Sequence, residues 1–344
     1  MEVTAVTWNS AAWSTANLPS SSTTRTILLG THDGKIYETE LRPGTGDAKA
    51  KRSDLPLKCV AELPVRERVT GIVMEPFPAR RKQHLVLIAT GTRIYQVIGA
   101  ATDLETRSSD RLAVFESMLK EGLTAPNFQE IPGMPGPGVL AVHHSETRLN
   151  GKSTAVATDF AWLTSMGVFF GKLTFDAQEA GDSVVENASL LPYPATVSPP
   201  ADTDNAAVEQ PASLALTEFH ILLQYSDRVC ALNMLSSKLA FEQSLSSLGG
   251  EQLQGLIIDE SKRTCWLFSP TNIYELVVTD EDRDVWDIYL QRRQFDSALQ
   301  RCYNEAQRDV VLRAQAEYYF SMSDYVRSAE CFALTSVSFE EAVL

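Results

Sequence analysis

The chain has 344 residues, 44% of them hydrophobic, and 30 Lys and Arg stand against 44 Asp and Glu for a formal net charge of −14. That length allows two domains and a sizeable core. The acidic balance excludes the basic face that nucleic acid or an anionic membrane surface requires.

In chain order, one pattern recurs about five times: a short strand, then two strands joined by a tight turn. Val3 to Asn9 leads into a hairpin over Thr26 to Leu41, with Asp33 and Gly34 supplying the positive φ of its turn, and Lys58 to Val65 follows. Val69 to Pro76 leads into His84 to Gly99, turning at Gly91. Gly138 to His144 leads into Asp159 to Leu173, turning near Met166 and Gly167. Ser213 to Phe219 leads into His220 to Leu235, turning at Ser226 and Asp227, and then into Lys238 to Leu245. Leu253 to Ser261 leads into Cys265 to Val278, turning at Pro270 to Asn272. Each hairpin places a nearly continuous apolar strand before an amphipathic one. This fits small sheets whose inner strands are covered on both faces. Stacking such sheets around an axis provides that cover, so residues 1–279 are expected to form a β-propeller rather than a β-sandwich. Two insertions interrupt it, at about 100–137 with a short helix over 108–122, and at 175–211, a Pro- and Ser-rich surface loop.

Near Thr279 the apolar period changes from about 2 to about 3.6. Asp280 and Asp282 are placed to cap a helix, and Val285, Trp286, Tyr289 and Leu290 form its apolar face. Phe295, Ala298, Leu299 and Cys302 form the face of a second helix after a turn at 291–294. The arrangement returns about thirty residues on. Val310, Val311, Ala314, Ala316, Tyr319 and Phe320 mark one helix, 321–324 a turn, and Tyr325, Ala329 and Phe332 its partner. Laid over each other with one residue of slip, the two copies pair Ala298 with Ala329 as the small residues of close packing. Residues 280–344 therefore read as the start of an α-solenoid of helical hairpins. The fold-defining residues are Trp286, Tyr289, Phe295, Ala298, Tyr319, Tyr325 and Ala329, and their role is structural. An array of about two pairs without a polar cap is the pattern of a longer protein cut short.

No catalytic constellation stands out. His143 and His144 are adjacent, so on a strand they point to opposite faces. His32 lies in a turn, and His220 begins an apolar strand. No nucleophile elbow, phosphate loop or H-E-x-x-H helix occurs. The five cysteines, Cys59, Cys230, Cys265, Cys302 and Cys331, are scattered and odd in number, which predicts a reducing, intracellular compartment. The N-terminus lacks signal-peptide features, and no run approaches the ~20 apolar residues of a membrane span. A soluble protein is expected, and the Asn187 sequon would go unglycosylated. A propeller enzyme would need polar side chains converging on inner strand ends, where VTAVTW, VTGIVM and LQGLII are mostly apolar.

The segment RDVWDIYLQRRQFDSALQRC and the later DVVLRAQAEYYFSMSDYVRSAECFALTSVSFEEAVL resemble the vacuolar protein sorting-associated protein 18 family, also called Deep orange. GTHDGKIYETEL, LVLIATGTRIYQVIG and LTEFHILLQYSDRV fit the same family, so the likeness spans Val3 to Leu344 outside the insertions. The resemblance implies an N-terminal β-propeller, a long α-solenoid and a C-terminal RING-type zinc domain. It also implies a non-enzymatic core subunit of the HOPS and CORVET tethering complexes, acting in vesicle docking and fusion. Its partners would be the other class C subunits, with Rab GTPases and SNAREs engaged indirectly and no nucleic acid. Its place would be the cytoplasm, at the cytosolic face of late endosome, lysosome or vacuole, peripherally attached through those partners. No C-x-x-C series occurs here, so the RING and its zinc are not carried over and no cofactor is expected. Five repeats are few for such a ring, so first blades are expected to be missing, which would expose an apolar sheet face and a free edge. A propeller–solenoid coat or nuclear-pore scaffold is the alternative.

Overall fold

The computed structural model describes residues 1–8, 26–40, 57–78, 80–101, 114–149, 152–176, 181–194, 209–244, 251–259 and 262–336. Two compact units divide the chain: residues 1–232 with 239–276, and residues 233–238 with 277–344.

The first unit is a succession of antiparallel sheets, the blades of a β-propeller. Blade 1 holds β1 (Val3–Trp8), β2 (Thr26–Thr31), β3 (Lys35–Glu40) and β4 (Lys58–Glu62). Blade 2 holds β5 (Gly71–Phe77), β6 (Arg80–Ala89), β7 (Arg93–Ala100) and β8 (Asn127–Glu130). Blade 3 holds β9 (Leu140–Leu149), β10 (Lys152–Leu163), β11 (Gly167–Leu173) and β12 (Val185–Pro192). Blade 4 holds β13 (Ser213–Leu216), β14 (His220–Gln224), β15 (Arg228–Asn233) and β16 (Leu239–Ser244). Blade 5 holds β17 (Gly255–Asp259), β18 (Thr264–Phe268) and β19 (Ile273–Leu276). Strand order follows chain order in every blade. The first strands touch in sequence, β1 to β5 to β9 to β13 to β17, and no contact of comparable extent joins β17 to β1 among the described residues.

Burial explains the apolar runs. On β6, Val86 and Ile88 enter the cluster shared with Leu28 and Ile36 of blade 1, while Leu85, Leu87 and Ala89 enter the one shared with Phe160 and Trp162 of blade 3. Both faces are covered, so no polar alternation survives. At the ends of the series one face is open: Val6 on β1 is 50% exposed and Ile257 on β17 is 57% exposed.

Both insertions contain more order than their composition predicts. The first holds α1 (Glu116–Thr124) and the fourth strand of blade 2, and the second holds β12. Glu186 through Leu190 on β12 are all exposed. A strand held by backbone pairing alone has no apolar period to detect, which is why it read as a loop. Residues 195–208, the heart of the predicted loop, and 108–113 of the predicted helix lie outside the described residues. The N–H groups of Val114 and Phe115, just before α1, donate to the buried Glu38 carboxylate on β3 at 2.7 and 3.0 Å.

The second unit holds α2 (Val285–Gln291), α3 (Phe295–Gln300), α4 (Glu305–Ser321) and α5 (Tyr325–Ala333). The expected caps Asp280 and Asp282 do not cap α2. The helix starts after Asp284, and Asp282 instead accepts a hydrogen bond from the Tyr303 hydroxyl and pairs with Arg301 at 3.7 Å. Both hairpins close with the same turn. Arg293 and Ser323 take positive φ, of 59° and 62°. Gln294 N–H donates to Tyr289 O and Asp324 N–H to Tyr319 O, each at 2.9 Å, while Arg293 and Ser323 N–H reach Leu290 and Phe320 O. This is the Schellman pattern twice over.

Candidate interaction face

Four links between blades lie against the hairpin of the blade behind and the strands of the blade ahead. Leu63 N–H donates to Gly34 O and Thr70 N–H to Ala89 O, at 2.9 and 2.8 Å. Gly136 N–H reaches Gly91 O at 2.9 Å and Gly138 N–H reaches Leu163 O at 3.0 Å. The Tyr193 hydroxyl donates to Thr164 O at 2.6 Å, and Ala212 N–H to Gln224 O at 2.8 Å. Leu253 N–H donates to Ser226 O at 3.1 Å and Gln254 N–H to Phe268 O at 2.9 Å. The described part of each connection is therefore hydrogen-bonded to both neighbouring blades.

The hairpins themselves repeat a hydroxyl lock. Thr31, Thr90, Thr164 and Ser269 each accept, at the side-chain hydroxyl, from a backbone N–H across the turn: Lys35, Arg93, Gly167 and Asn272. Such side-chain-to-backbone bonds favour turns over ladders. Carboxylates on the links then reach the following hairpin. Glu67 accepts from Thr90 and Thr92 at 2.6 and 2.8 Å. Glu209 accepts from Arg228 at 2.7 Å. Glu251 accepts from Ser269 and Thr271, and those two hydroxyls hold its carboxyl below the ordinary range. Asp33 is lowered likewise, by the Thr31 hydroxyl first and then by Lys35. Sequence reading missed these carboxylates. The recurring signal was present, as a Thr or Ser opening four of the five turns.

The acids are engaged by turn hydroxyls and by Arg228, whose guanidinium also lies 4.1 Å above the Tyr225 ring. Burial raises the Tyr193 and Tyr225 phenols, and burial raises the Cys230 thiol to about 11, which keeps it unreactive. Among the described residues no group of three or more His, Cys, Asp or Glu could hold a metal, and the cysteines stand apart. Met134, on the link between blades 2 and 3, and Met166, on a blade 3 turn, are exposed.

In the helical unit, Phe295 and Ala298 are buried, and Trp286 and Tyr289 pack on the same cluster. Tyr319, Tyr325 and Ala329 do not join it. Tyr319 lies at a tilt against Tyr318 and takes Arg327 over its ring, and Tyr325 lies against Phe320 while remaining 60% exposed. Val310 and Phe320 are exposed as well, and Leu312 takes the buried place instead. Ala329 is exposed, and the small buried residue of the second hairpin is Ser328, whose hydroxyl donates to Ala316 O at 2.9 Å. The matching turns superpose Tyr289 on Tyr319 and hence Ala298 on Ser328, so the hairpins align without any slip. A serine that satisfies its own hydroxyl substitutes for alanine at close approach.

The β-propeller model described as Pep3/Vps18/deep orange matches residues 1–278. The chain belongs to the Pep3/Vps18/deep orange family. A second model, the first half of the VPS18 alpha-solenoid domain, matches residues 280–344. Vacuolar sorting protein 18 of Arabidopsis thaliana is 31% identical over 98% of this chain and 32% of its own length. The vacuolar protein sorting-associated protein 18 homolog of Danio rerio is 26% identical over 99% of this chain and 32% of its own length. The chain thus spans about a third of these members of the Pep3/Vps18/deep orange family. Among solved structures, the β-propeller domain of Myceliophteria thermophila Cps50 (Swd1) matches with a TM-score of 0.44 and 13% identity, over 81% of this chain and 66% of that one.

Proposed function

We propose that the chain is a non-enzymatic scaffold of a vacuolar or endolysosomal tethering complex of the HOPS or CORVET type, acting in vesicle docking, fusion and protein sorting. One observation carries the reading: the propeller and solenoid models of one sorting family match end to end, 1–278 and 280–344. The hydroxyl-locked turns support it, since they build broad polar surface in place of a reactive cleft. The chain would bind the other class C subunits directly and meet Rab GTPases and SNAREs through them. It would sit at the cytosolic side of late endosome, lysosome or vacuole. No described helix is long and apolar enough to cross a membrane, and attachment through partners is consistent with that. The test is affinity capture of the tagged full-length protein from its own organism, read by mass spectrometry. Recovery of the remaining class C sorting subunits is expected, and their repeated absence overturns the proposal.

A further inference from the structure

Blades 2 and 3 meet along β5 and β9. Val73 and Phe77 on β5 share an apolar cluster with Leu140 and Val142 on β9. Alternation along a strand places Glu75 on the same face as Val73 and Phe77, and His144 on the same face as Val142. Within this apolar seam, His144 Nε2 lies 3.0 Å from Glu75 Oε1. Both side chains are largely withdrawn from water, 6% exposed for Glu75 and 17% for His144. Salt screens a pair so placed far less than a pair on the surface.

The neighbouring strands bring apolar residues to the pair. Leu85 of β6 lies opposite Glu75, and Ala157 of β10 lies opposite His144. The charged groups nearby have contacts of their own. Arg80, at the start of β6, donates to Gln83 at 3.0 Å. Glu146, two residues along β9, is exposed and lies 3.9 Å from Arg263. His143 and Asp159 lie opposite each other on the far face of blade 3, where Lys172 reaches Asp159 at 3.1 Å. Phe175 packs on Phe77 at 5.1 Å, and the next residue, Asp176, accepts from the Thr174 hydroxyl. His84 turns to the other face of blade 2, against Phe115.

An ionised carboxylate only accepts, so Nε2 is the donor whether the imidazole is neutral or charged. The proton that comes and goes near neutral pH is the one on Nδ1. Its presence puts a positive charge opposite Glu75 and makes the hydrogen bond charge-assisted from both sides. Its loss keeps the contact and removes the attraction between two charges. We propose that Glu75 and His144 form a proton-operated latch between blades 2 and 3, tight when the imidazole is protonated and loosened when it is neutral. A histidine that gains an anionic partner on folding contributes stability that is fully present below its unfolded value of about 6.5. That stability is lost as pH rises through the higher folded value. The latch stands independently of the sorting role.

The test uses the whole chain with isotope-labelled histidine, followed by NMR from about pH 5.5 to about pH 9. The His144 signal is identified by its loss in His144→Gln. It is expected to titrate above the ordinary imidazole value, and Glu75→Gln to move its midpoint downward. Thermal melting reads the consequence. Between about pH 6 and about pH 8.5, the wild-type melting temperature is expected to fall by about 2–4 °C more than that of Glu75→Gln or His144→Gln. Comparison with the variants cancels the titration of His32, His84, His143 and His220. Should one variant not fold, the other carries the comparison. A midpoint at or below the ordinary value, a midpoint that Glu75→Gln leaves in place, or equal falls in wild type and variant overturns the latch.

Discussion

Trp162 on β10 is fully buried, and its indole N–H donates to Thr90 O in the neighbouring blade at 3.1 Å. Trp162→Phe keeps most of the apolar area but leaves that carbonyl without its donor, at a cost of about 1–3 kcal/mol. Trp162→Ala should cost about 3–5 kcal/mol. Urea unfolding of the two variants checks both the order and the gap. Glu116 at the start of α1 tests electrostatics at the same scale. Lys120 first, and then Lys58 on β4, hold its carboxyl below the ordinary 4.5. A carboxyl lowered by folding contributes stability that is fully present above its unfolded value and is lost as pH falls through its folded one. Stability should therefore decline on acidification below about pH 4.5. Glu116→Gln should flatten that limb in urea titrations at successive pH values. An unchanged slope would show that the two lysines contribute nothing there.

The two links described throughout, 63–70 and 131–139, are bonded at both ends. Gly138, with φ of +71°, shows how little room they leave: an added Cβ would lie 2.7 Å from Thr70 Cβ and overlap its hydroxyl. That hydroxyl has Gly138 O at 2.8 Å and Ala89 O at 3.1 Å as acceptors for its one proton. Gly138→Ala should cost about 1–2 kcal/mol for the left-handed backbone and about 1–3 kcal/mol for overpacking. A lower melting temperature is the expected readout, and a wild-type value would mean that the link yields. Pro135 and Pro137 alternate with Gly136 and Gly138 in this segment and stiffen it. Its seat, across Gly91 of one blade and Leu163 of the next, came only with the three-dimensional neighbours.

At the scale of the molecule, burial is uneven between the two units. Leu85 to Ala89 on β6 are wholly buried, whereas the helical cluster has Phe295, Ala298 and Val311 as its buried members. Local opening should therefore be easier in the helices. Phe295→Ala, at about 3 kcal/mol, should speed amide exchange across α2 to α5 roughly a hundredfold and leave Val86 and Trp162 unaltered. Equal acceleration in both units would contradict that separation.

Hairpins, turns and the switch to helices near residue 280 were legible in the residues themselves. Apolar period reports how each side chain is covered, and Asp33–Gly34 or Pro270 report what a local backbone must do. The edge strands β8 and β12 and the choice of Ser328 over Ala329 were decided only by the assembled fold. An outer strand is held through its backbone, which is alike for nearly all residues. Close helix contact depends on a turn geometry that shifts the register by one. Neither leaves a mark on composition or period, so only the neighbours in space could reveal them.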